Sequence, residues 1–527
     1  MHIVIADSLP ASAIELLRSV PGWTIDARVG RSPADLARDL AMADALIVRS
    51  ATKVDAAIMA AAPCLRVIAR AGTGVDNVDV SAATERGIVV MNAPGANSIS
   101  VAELTLALML SLSRAIPAAD AAMKRGTWEK KKLAGVELRG KALGLVGLGR
   151  IGQEVGVRAR AFGMQLLAHD PFISEQIAES LGVELVTLDD LCARADYISL
   201  HVPATPETRH LFNAERLAMC RAGVRIVNTA RGELIDEAAL AAAIEAGDVA
   251  GAGLDVFETE PPRDWSLTSM PQVVATPHIA ASTAEAQEQV GLETAMAVRE
   301  FLLDGVIRSA VNFPALAHDD ANVQPLVRLA ERMGAFLAQV AAGRTHGISI
   351  RYYGERARAH ANLLASAAIA GLLRPMLSAN VSVVNARQVA AGRGIEIVES
   401  RSSRPRDFAD MLSLKLHTTD GDRWIEGAVF EPGRPRLTLL DGVDVEAPLE
   451  GLQVVLQNED RPGVIGDIGS ILGRHGVNIA SFALGRGEGG AVGVVNVDQA
   501  ADNGKLEQAV DELRAVEAIT AAYIVRL

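Results

Sequence analysis

Through about residue 312 the apolar positions of the chain come in short runs separated by alanine-rich stretches of helical spacing. The runs at 3–6, 45–48, 67–69 and 88–90 have the length of buried strands, and this alternation predicts an open α/β unit on a mostly parallel sheet. Turn chemistry over 92–97 then leads into the longest apolar segment, 99–112. Ser100, Glu103, Thr105 and Ser111 interrupt it, and it is too short to span a bilayer, so it reads as a buried helix. A second series begins with apolar runs at 142–146 and 164–168, followed by 197–203, 225–232, 253–257 and 273–278, each a strand whose C-terminal end turns polar. Beyond it, 322–342 reads as an amphipathic helix, 347–352 as a strand and 359–373 as an Ala/Leu helix. The tail reads as strand 452–456, turn 460–463, helix to 474, strands 477–484 and 491–497, helix 505–514 and strand 519–525, a βαββαβ order of the split ferredoxin-like kind.

The most informative stretch is 140–170. A strand runs into Gly147-Leu148-Gly149-Arg150-Ile151-Gly152, a GxGxxG turn that opens a helix. Gly147 permits the turn, Gly149 lets a pyrophosphate approach backbone N–H groups at the helix start, and Gly152 allows close helix-on-strand packing. Asp170 ends the next strand. A carboxylate there accepts both hydroxyls of an adenosine ribose and repels a 2′-phosphate, which favours NAD over NADP.

Composition narrows the class. The chain has 527 residues, half of them hydrophobic, which is too long for one core and long enough for three or four domains. Its net charge of −13 argues against a nucleic-acid footprint, so an anionic substrate needs a local basic pocket. Cys64, Cys192 and Cys220 have neither disulfide-framework nor metal-ligand spacing and read as small buried residues in a reducing, cytoplasmic setting. The start, Met1-His2-Ile3-Val4, shows no basic leader or signal-type core. No metal site and no membrane contact are expected.

Chemistry gathers at strand ends. Arg231, Glu260 and His278 fall at or just past strand ends of the second series, the carboxyl edge where such sheets bind ligands. Transferring a hydride from a secondary alcohol to NAD requires a base for the hydroxyl proton, and imidazole suits this near neutral pH. A carboxylate beside it raises its pKa and fixes its tautomer. Arg231 offers a planar fork for a substrate carboxylate. In the first series, Arg49-Ser50 and Arg70-Ala71-Gly72-Thr73-Gly74-Val75-Asp76 follow strands and suit a carboxylate or phosphate. Trp128 and the run Lys130-Lys131-Lys132 read either as a solvated face or as an anion-gathering arm reaching a neighbouring subunit.

The glycine turn with Asp170, Asn228-Thr229-Ala230-Arg231-Gly232, the segment Asp255 to Pro261 and Thr276-Pro277-His278 together resemble the D-isomer-specific 2-hydroxyacid dehydrogenase family, in family order. Arg70 to Asp79 resembles its D-3-phosphoglycerate dehydrogenase branch. The resemblance implies Arg231, Glu260 and His278 as the catalytic trio, and contact with NAD by Thr73, Gly147, Gly149, Arg150, Ile151, Gly152, Asp170, Thr229, Ala230, Arg231, Asp255 and His278. It implies 3-phosphoglycerate as substrate, its phosphate held by the basic residues Arg49, Arg70 and Lys130, the last across a dimer, with Gly72 also binding substrate. Ala280 stands where the family often has glycine. The tail, with Asp460-Arg461-Pro462-Gly463 and Gly476-Val477-Asn478, resembles the ACT regulatory domain. That resemblance implies L-serine as effector, bound through Asn458, Asp460 and Asn478 between paired copies; a purely structural dimerisation module is the alternative.

The expected architecture is two Rossmann-like or flavodoxin-like doubly wound α/β domains, an α+β intervening domain and a βαββαβ ACT domain. The expected bounds are 1–93 with 289–312 for substrate, 94–288 for NAD, 313–448 for the intervening domain and 449–527 for the ACT domain. A homotetramer or homodimer is expected. Reduction of glyoxylate or hydroxypyruvate, or an NAD-sensing corepressor scaffold that binds partner proteins, remain as other readings. Arg401, Arg404 and Arg406 read as anion ligands of the intervening domain or as a solvated basic loop.

Overall fold

The computed structural model describes residues 1–313, 323–377, 380–404, 408–430, 433–487, 490–498 and 504–527. Its first sheet has five parallel strands in the order Thr24–Asp26, His2–Ile5, Ala45–Val48, Val67–Arg70, Val89–Asn92. The central strands are buried on both faces, as parallel strands covered by helices must be, and hence read as continuous apolar runs. Thr24–Asp26 was not legible as a strand because it is three residues long and only partly buried.

The chain then crosses into helix Ser98–Arg114, which buries Val101, Ala102, Thr105, Leu106, Leu108 and Met109. This helix packs on helix Arg150–Ala161. Among the described residues no single helix is long and apolar enough to cross a membrane. The second sheet has seven parallel strands in the order Val273–Ala275, Val249–Leu254, Val224–Asn228, Tyr197–Leu200, Ala142–Val146, Gln165–His169, Glu184–Leu185. Strand order reverses between Ala142–Val146 and Tyr197–Leu200, and the crevice outside their carboxyl ends is where this topology accepts ligands.

Helix Ala284–Asp304, capped by the Thr283 hydroxyl accepting from Ala286 N–H at 3.1 Å, runs back to the first sheet. A methyl group on its Gly291 would lie 2.6 Å from Pro10 Cδ, so glycine lets the helix sit directly on the start of helix Ala11–Arg18. Past the helix, Val311 N–H donates to Val90 O at 2.7 Å and stitches the return segment to the sheet edge.

A six-stranded mixed sheet follows, its order Glu396–Ser402, Thr345–Tyr353, Met411–Thr418, Gly421–Phe430, Arg434–Leu440, Val443–Pro448. The amphipathic helix runs over Gln324–Val340; residue 322, its expected start, lies outside the described residues. The Ala/Leu helix expected over 359–373 is broken at His360 into Glu355–Ala359 and Ala361–Leu373, because His360 sits at φ −103°, ψ 21°, off helical values.

The last sheet is antiparallel, in the order Ile479–Gly487, Gly490–Val497, Leu452–Asn458, Ile519–Arg526. Helices Val464–Arg474 and Lys505–Arg514 bury Ile468, Leu472, Leu506 and Val510 with Val454 and Leu456 of the sheet. The sheet's other face, through Val455, Val492, Val494 and Val525, shares a core with the preceding unit. Gln339 fastens the two: its Nε2 donates to Arg526 O at 3.0 Å and its Oε1 accepts from Arg526 N–H at 2.9 Å.

Cysteine burial is uneven. Cys192 is buried, Cys220 half-buried and Cys64 exposed, so the expectation of three buried thiols fails at Cys64, which stands in a surface turn before strand Val67–Arg70.

Candidate active site

The glycine turn is built for close backbone approach. Gly147 sits at φ +93°, and a Cβ there would lie 2.7 Å from His201 O; a Cβ on Gly152 would lie 2.2 Å from Gly147 O. Gly149 differs: it is extended (φ −69°, ψ −166°), and its Cβ position faces open space. That empty cradle at a helix N-terminus fits a pyrophosphate. Asp170 holds the turn from the neighbouring strand, Oδ2 accepting from Leu148 N–H at 2.8 Å and Oδ1 from Phe172 N–H at 2.9 Å. Arg150 Nη1 donates to Pro94 O, which ties the turn to the crossing segment. Ile151 is half-buried at the helix start.

Beneath the turn lies His201, a residue the sequence reading passed over. It is enclosed, its Nε2 2.9 Å from Ser199 Oγ, and burial pushes its pKa down to about 3. It is therefore a neutral part of the floor.

The proposed trio meets at the sheet's carboxyl edge. His278 Nδ1 donates to Glu260 Oε2 at 2.7 Å, and the other Glu260 oxygen accepts from Phe257 N–H at 3.1 Å. Because Nδ1 is committed, Nε2 is the nitrogen left to exchange a proton. The hydrogen bond and charge of Glu260 raise the His278 pKa against the opposing effect of burial, with a smaller push from Asp255. Burial works to raise the Glu260 pKa, but its bond to His278 and the nearby charges leave it lowered. Both shifts favour the charged pair, imidazolium beside carboxylate, and the neutral imidazole is reached as pH rises through the raised His278 pKa.

Asp255, expected to touch the cofactor, exposes no surface. Oδ1 accepts from Thr276 Oγ1 at 2.6 Å and Ile279 N–H at 2.8 Å, and Oδ2 from Ala280 N–H at 2.9 Å. His278 N–H donates to Asp255 O at 2.8 Å. This holds His278 at φ +52°, a conformation uncommon for a non-glycine residue. Ala280, at the position often occupied by glycine, is buried within the same turn.

Arg231 reaches the cleft from the end of strand Val224–Asn228. Asn228 shapes the turn: its Nδ2 donates to Arg231 O at 2.8 Å and its Oδ1 accepts from Ala230 N–H at 3.0 Å. Thr229 is buried, with Oγ1 2.8 Å from Thr105 Oγ1. Arg231 Nη1 donates to Ala230 O at 2.7 Å, and Nη2 lies 3.3 Å from Asp76 Oδ2 across the cleft. Gly74 makes room, since a Cβ there would be 2.0 Å from Arg231 Nη2.

The facing wall comes from the first sheet. Arg49, Arg70, Gly72 and Thr73 line one cleft of ≈ 490 Å³ together with Arg231, Glu260 and His278. Arg70 Nε is buried with no hydrogen-bond partner among the described residues; burial, then repulsion from Arg231, lowers the Arg70 pKa. An enclosed guanidinium beside two others is a seat for a bound anion. A Cβ on Gly72 would sit 1.8 Å from Arg70 Nη1, so glycine is what lets this guanidinium pass. Thr73 Oγ1 donates to Asn97 Oδ1 at 2.9 Å. Asn97, Ser282 and Gln287 also line the cleft; sequence reasoning missed them, having only turn and helix-start signals at those positions. Lys130 is not brought in: it lies exposed in the turn Lys130–Lys132, near Trp128, which is 79% exposed.

In the C-terminal unit Asn458 and Asp460 line a separate cavity of ≈ 400 Å³ with Arg461, Pro462, Gly463 and Arg486. Asn458 Oδ1 is buried and unpartnered among the described residues, and Arg486 Nε lies 3.4 Å from Asp460 Oδ1. Asn478 stands outside this cavity, exposed, its Nδ2 donating to Asp498 Oδ2 at 2.6 Å. In the intervening unit Arg401 lies on strand Glu396–Ser402 and Arg404 is exposed; Arg406 lies outside the described residues. No cluster of metal-ligating side chains is found among the described residues.

Comparison with known proteins gives the family of each part of the chain. The family model for the NAD-binding domain of D-isomer specific 2-hydroxyacid dehydrogenases matches residues 106–280, that for the D-3-phosphoglycerate dehydrogenase intervening domain 322–441, and that for the ACT domain 453–518. The D-3-phosphoglycerate dehydrogenase of Methanocaldococcus jannaschii is 41% identical over the whole of both chains, and that of Mycobacterium tuberculosis 42% identical over 94% of each. Among solved structures, a glyoxylate reductase from Paecilomyes thermophila covers 59% of this chain and 97% of its own, with TM-score 0.55 and 33% identity. A D-lactate dehydrogenase from Aquifex aeolicus, complexed with NAD and lactic acid, covers 60% and 100%, with TM-score 0.52 and 30% identity.

Proposed function

The chain belongs to the D-3-phosphoglycerate dehydrogenase family and is an NAD-dependent oxidoreductase; from that premise we propose that Arg231, Glu260 and His278 oxidise 3-phosphoglycerate at C2 to 3-phosphohydroxypyruvate, the entry to serine synthesis, under feedback by L-serine. The observation that carries the reading is the single cleft in which the His278–Glu260 pair faces Arg49, Arg70 and Arg231.

NAD, when bound, supplies the hydride acceptor. Gly149, in the turn that Gly147 and Gly152 shape, admits its pyrophosphate to the backbone, and Asp170 receives the adenosine ribose. Arg231 grips the substrate carboxylate with its fork and favours the carbonyl that forms beside it. Arg49 and Arg70 take the phosphate at the far end, joined in a paired molecule by Lys130. His278 Nε2 accepts the C2 hydroxyl proton as the hydride leaves, and Glu260 stabilises the imidazolium that results. The reverse reaction returns the same proton from His278.

The regulatory half rests on the cavity at Asn458 and Asp460. In this reading Asp460 receives the effector's ammonium and Asn458 Oδ1 a donor, with Asn478 contributing from a second copy. The exposed Trp128 and Met123 support self-association into a homo-oligomer, and a cytoplasmic setting belongs to the same proposal. The test is NADH formation from 3-phosphoglycerate and NAD at mildly alkaline pH with the product trapped, repeated with L-serine. Turnover suppressed by serine supports both halves. Turnover indifferent to serine removes the regulatory half, and no turnover removes the substrate.

A further inference from the structure

Glu260 works only if its loop is held still, and the loop's other acidic residue is turned away from the cleft. Glu258 Oε1 accepts from Arg209 Nη2 at 2.6 Å and from His210 Nε2 at 2.8 Å. Its backbone N–H donates to Glu237 Oε1 at 2.7 Å, at the first turn of helix Glu237–Ala246. His210 is itself fixed, its N–H donating to Glu233 O at 2.7 Å with φ +49°. The same stretch is pressed on the arginine turn, where a Cβ on Gly232 would lie 1.9 Å from the carbonyl carbon of Phe257 and 2.4 Å from Glu258 N. Two residues on, Phe257 N–H and His278 Nδ1 share the two Glu260 oxygens.

From this we infer that Glu258, clamped by Arg209 and His210, is a positioning residue for the reaction: it sets the place of Glu260 and through it the orientation of the His278 imidazole. Glu258 touches neither His278 nor Arg231; it acts by denying its loop the freedom to drift. The clamp is cross-linked from an element 48 residues earlier in the chain, so loss of either partner frees the loop without removing any group of the trio. The inference rests on the assignment of Glu260 and His278 made above.

The experiment is steady-state kinetics of full-length Glu258→Ala, Glu258→Gln and the double variant Arg209→Met/His210→Gln as a function of pH, with His278→Ala as control. Glu258→Ala and the double variant are expected to lower kcat between about 10- and 100-fold, the usual cost of lost positioning, with KM for NAD changed by less than about twofold. Both should move the acid limb of kcat to lower pH, because His278, which also faces Asp255 and Arg231, loses its carboxylate partner. Glu258→Gln keeps an acceptor oxygen for both donors and should recover most of the rate. If Glu258→Ala does not fold, the double variant decides alone. Unchanged kcat and an unmoved limb in a folded variant, with His278→Ala inactive, would overturn the inference while leaving the trio standing. Normal turnover by His278→Ala would instead remove the trio on which it rests.

Discussion

Glu260→Gln separates the charge of the carboxylate from its hydrogen bond, since the amide oxygen can still accept from His278 Nδ1. The contact is 2.7 Å, which puts the two charge centres about 4 Å apart; at that distance a pair is worth about 1 kcal/mol in water and about 4 kcal/mol at a protein surface. The side chains are 50% and 37% exposed, so the watery end applies. About 1 kcal/mol corresponds to ~0.7 pH unit. Glu260 holds the His278 pKa above its ordinary value, and alcohol oxidation needs the neutral imidazole, so the rate climbs as pH rises through that pKa. Without the carboxylate charge the pKa falls and the acid limb moves down by ~0.7 pH unit, while the tautomer is kept and the alkaline plateau drops by less than about tenfold. The assay is initial NADH formation at saturating 3-phosphoglycerate across the pH range. A limb that stays in place, or moves up, would refute the reasoning.

Two further outcomes follow from the cradles. Gly149→Ala should leave the thermal midpoint unchanged, because its backbone is ordinary and its Cβ space is open, yet raise KM for NAD by about tenfold or more, since the methyl takes the pyrophosphate's seat. Gly152→Ala, with its Cβ 2.2 Å from Gly147 O, should instead lower the melting temperature, and thermal denaturation beside NAD titration separates the two. Asp460→Ala should abolish inhibition by L-serine with the uninhibited rate intact; full serine sensitivity in this variant would move the effector site elsewhere.

Much of the fold could be read from the chain because parallel strands buried on both faces leave continuous apolar runs, as at Ala45–Val48 and Tyr197–Leu200. Edge strands such as Glu184–Leu185, two residues long and partly exposed, leave no such signal. The glycine turn was legible because steric demands at Gly147 and Gly152 admit few other residues. Arg231, Glu260 and His278 were found through their places at strand ends, and the structure brings them into one cleft with Arg49 and Arg70. What the sequence hid are contacts between distant segments. The Glu258 clamp depends on Arg209 and His210, and the four hydrogen bonds by which Asp255 organises the His278 turn depend on how Thr276 to Ala280 fold back over it. Neither arrangement has a local pattern to reveal it.

The most direct measurement is turnover of His278→Ala on 3-phosphoglycerate and NAD, with NAD affinity measured on the same preparation. The expected result is a loss of roughly two to four orders of magnitude in kcat with NAD binding retained. Turnover near that of the unmodified enzyme would contradict the account at its centre.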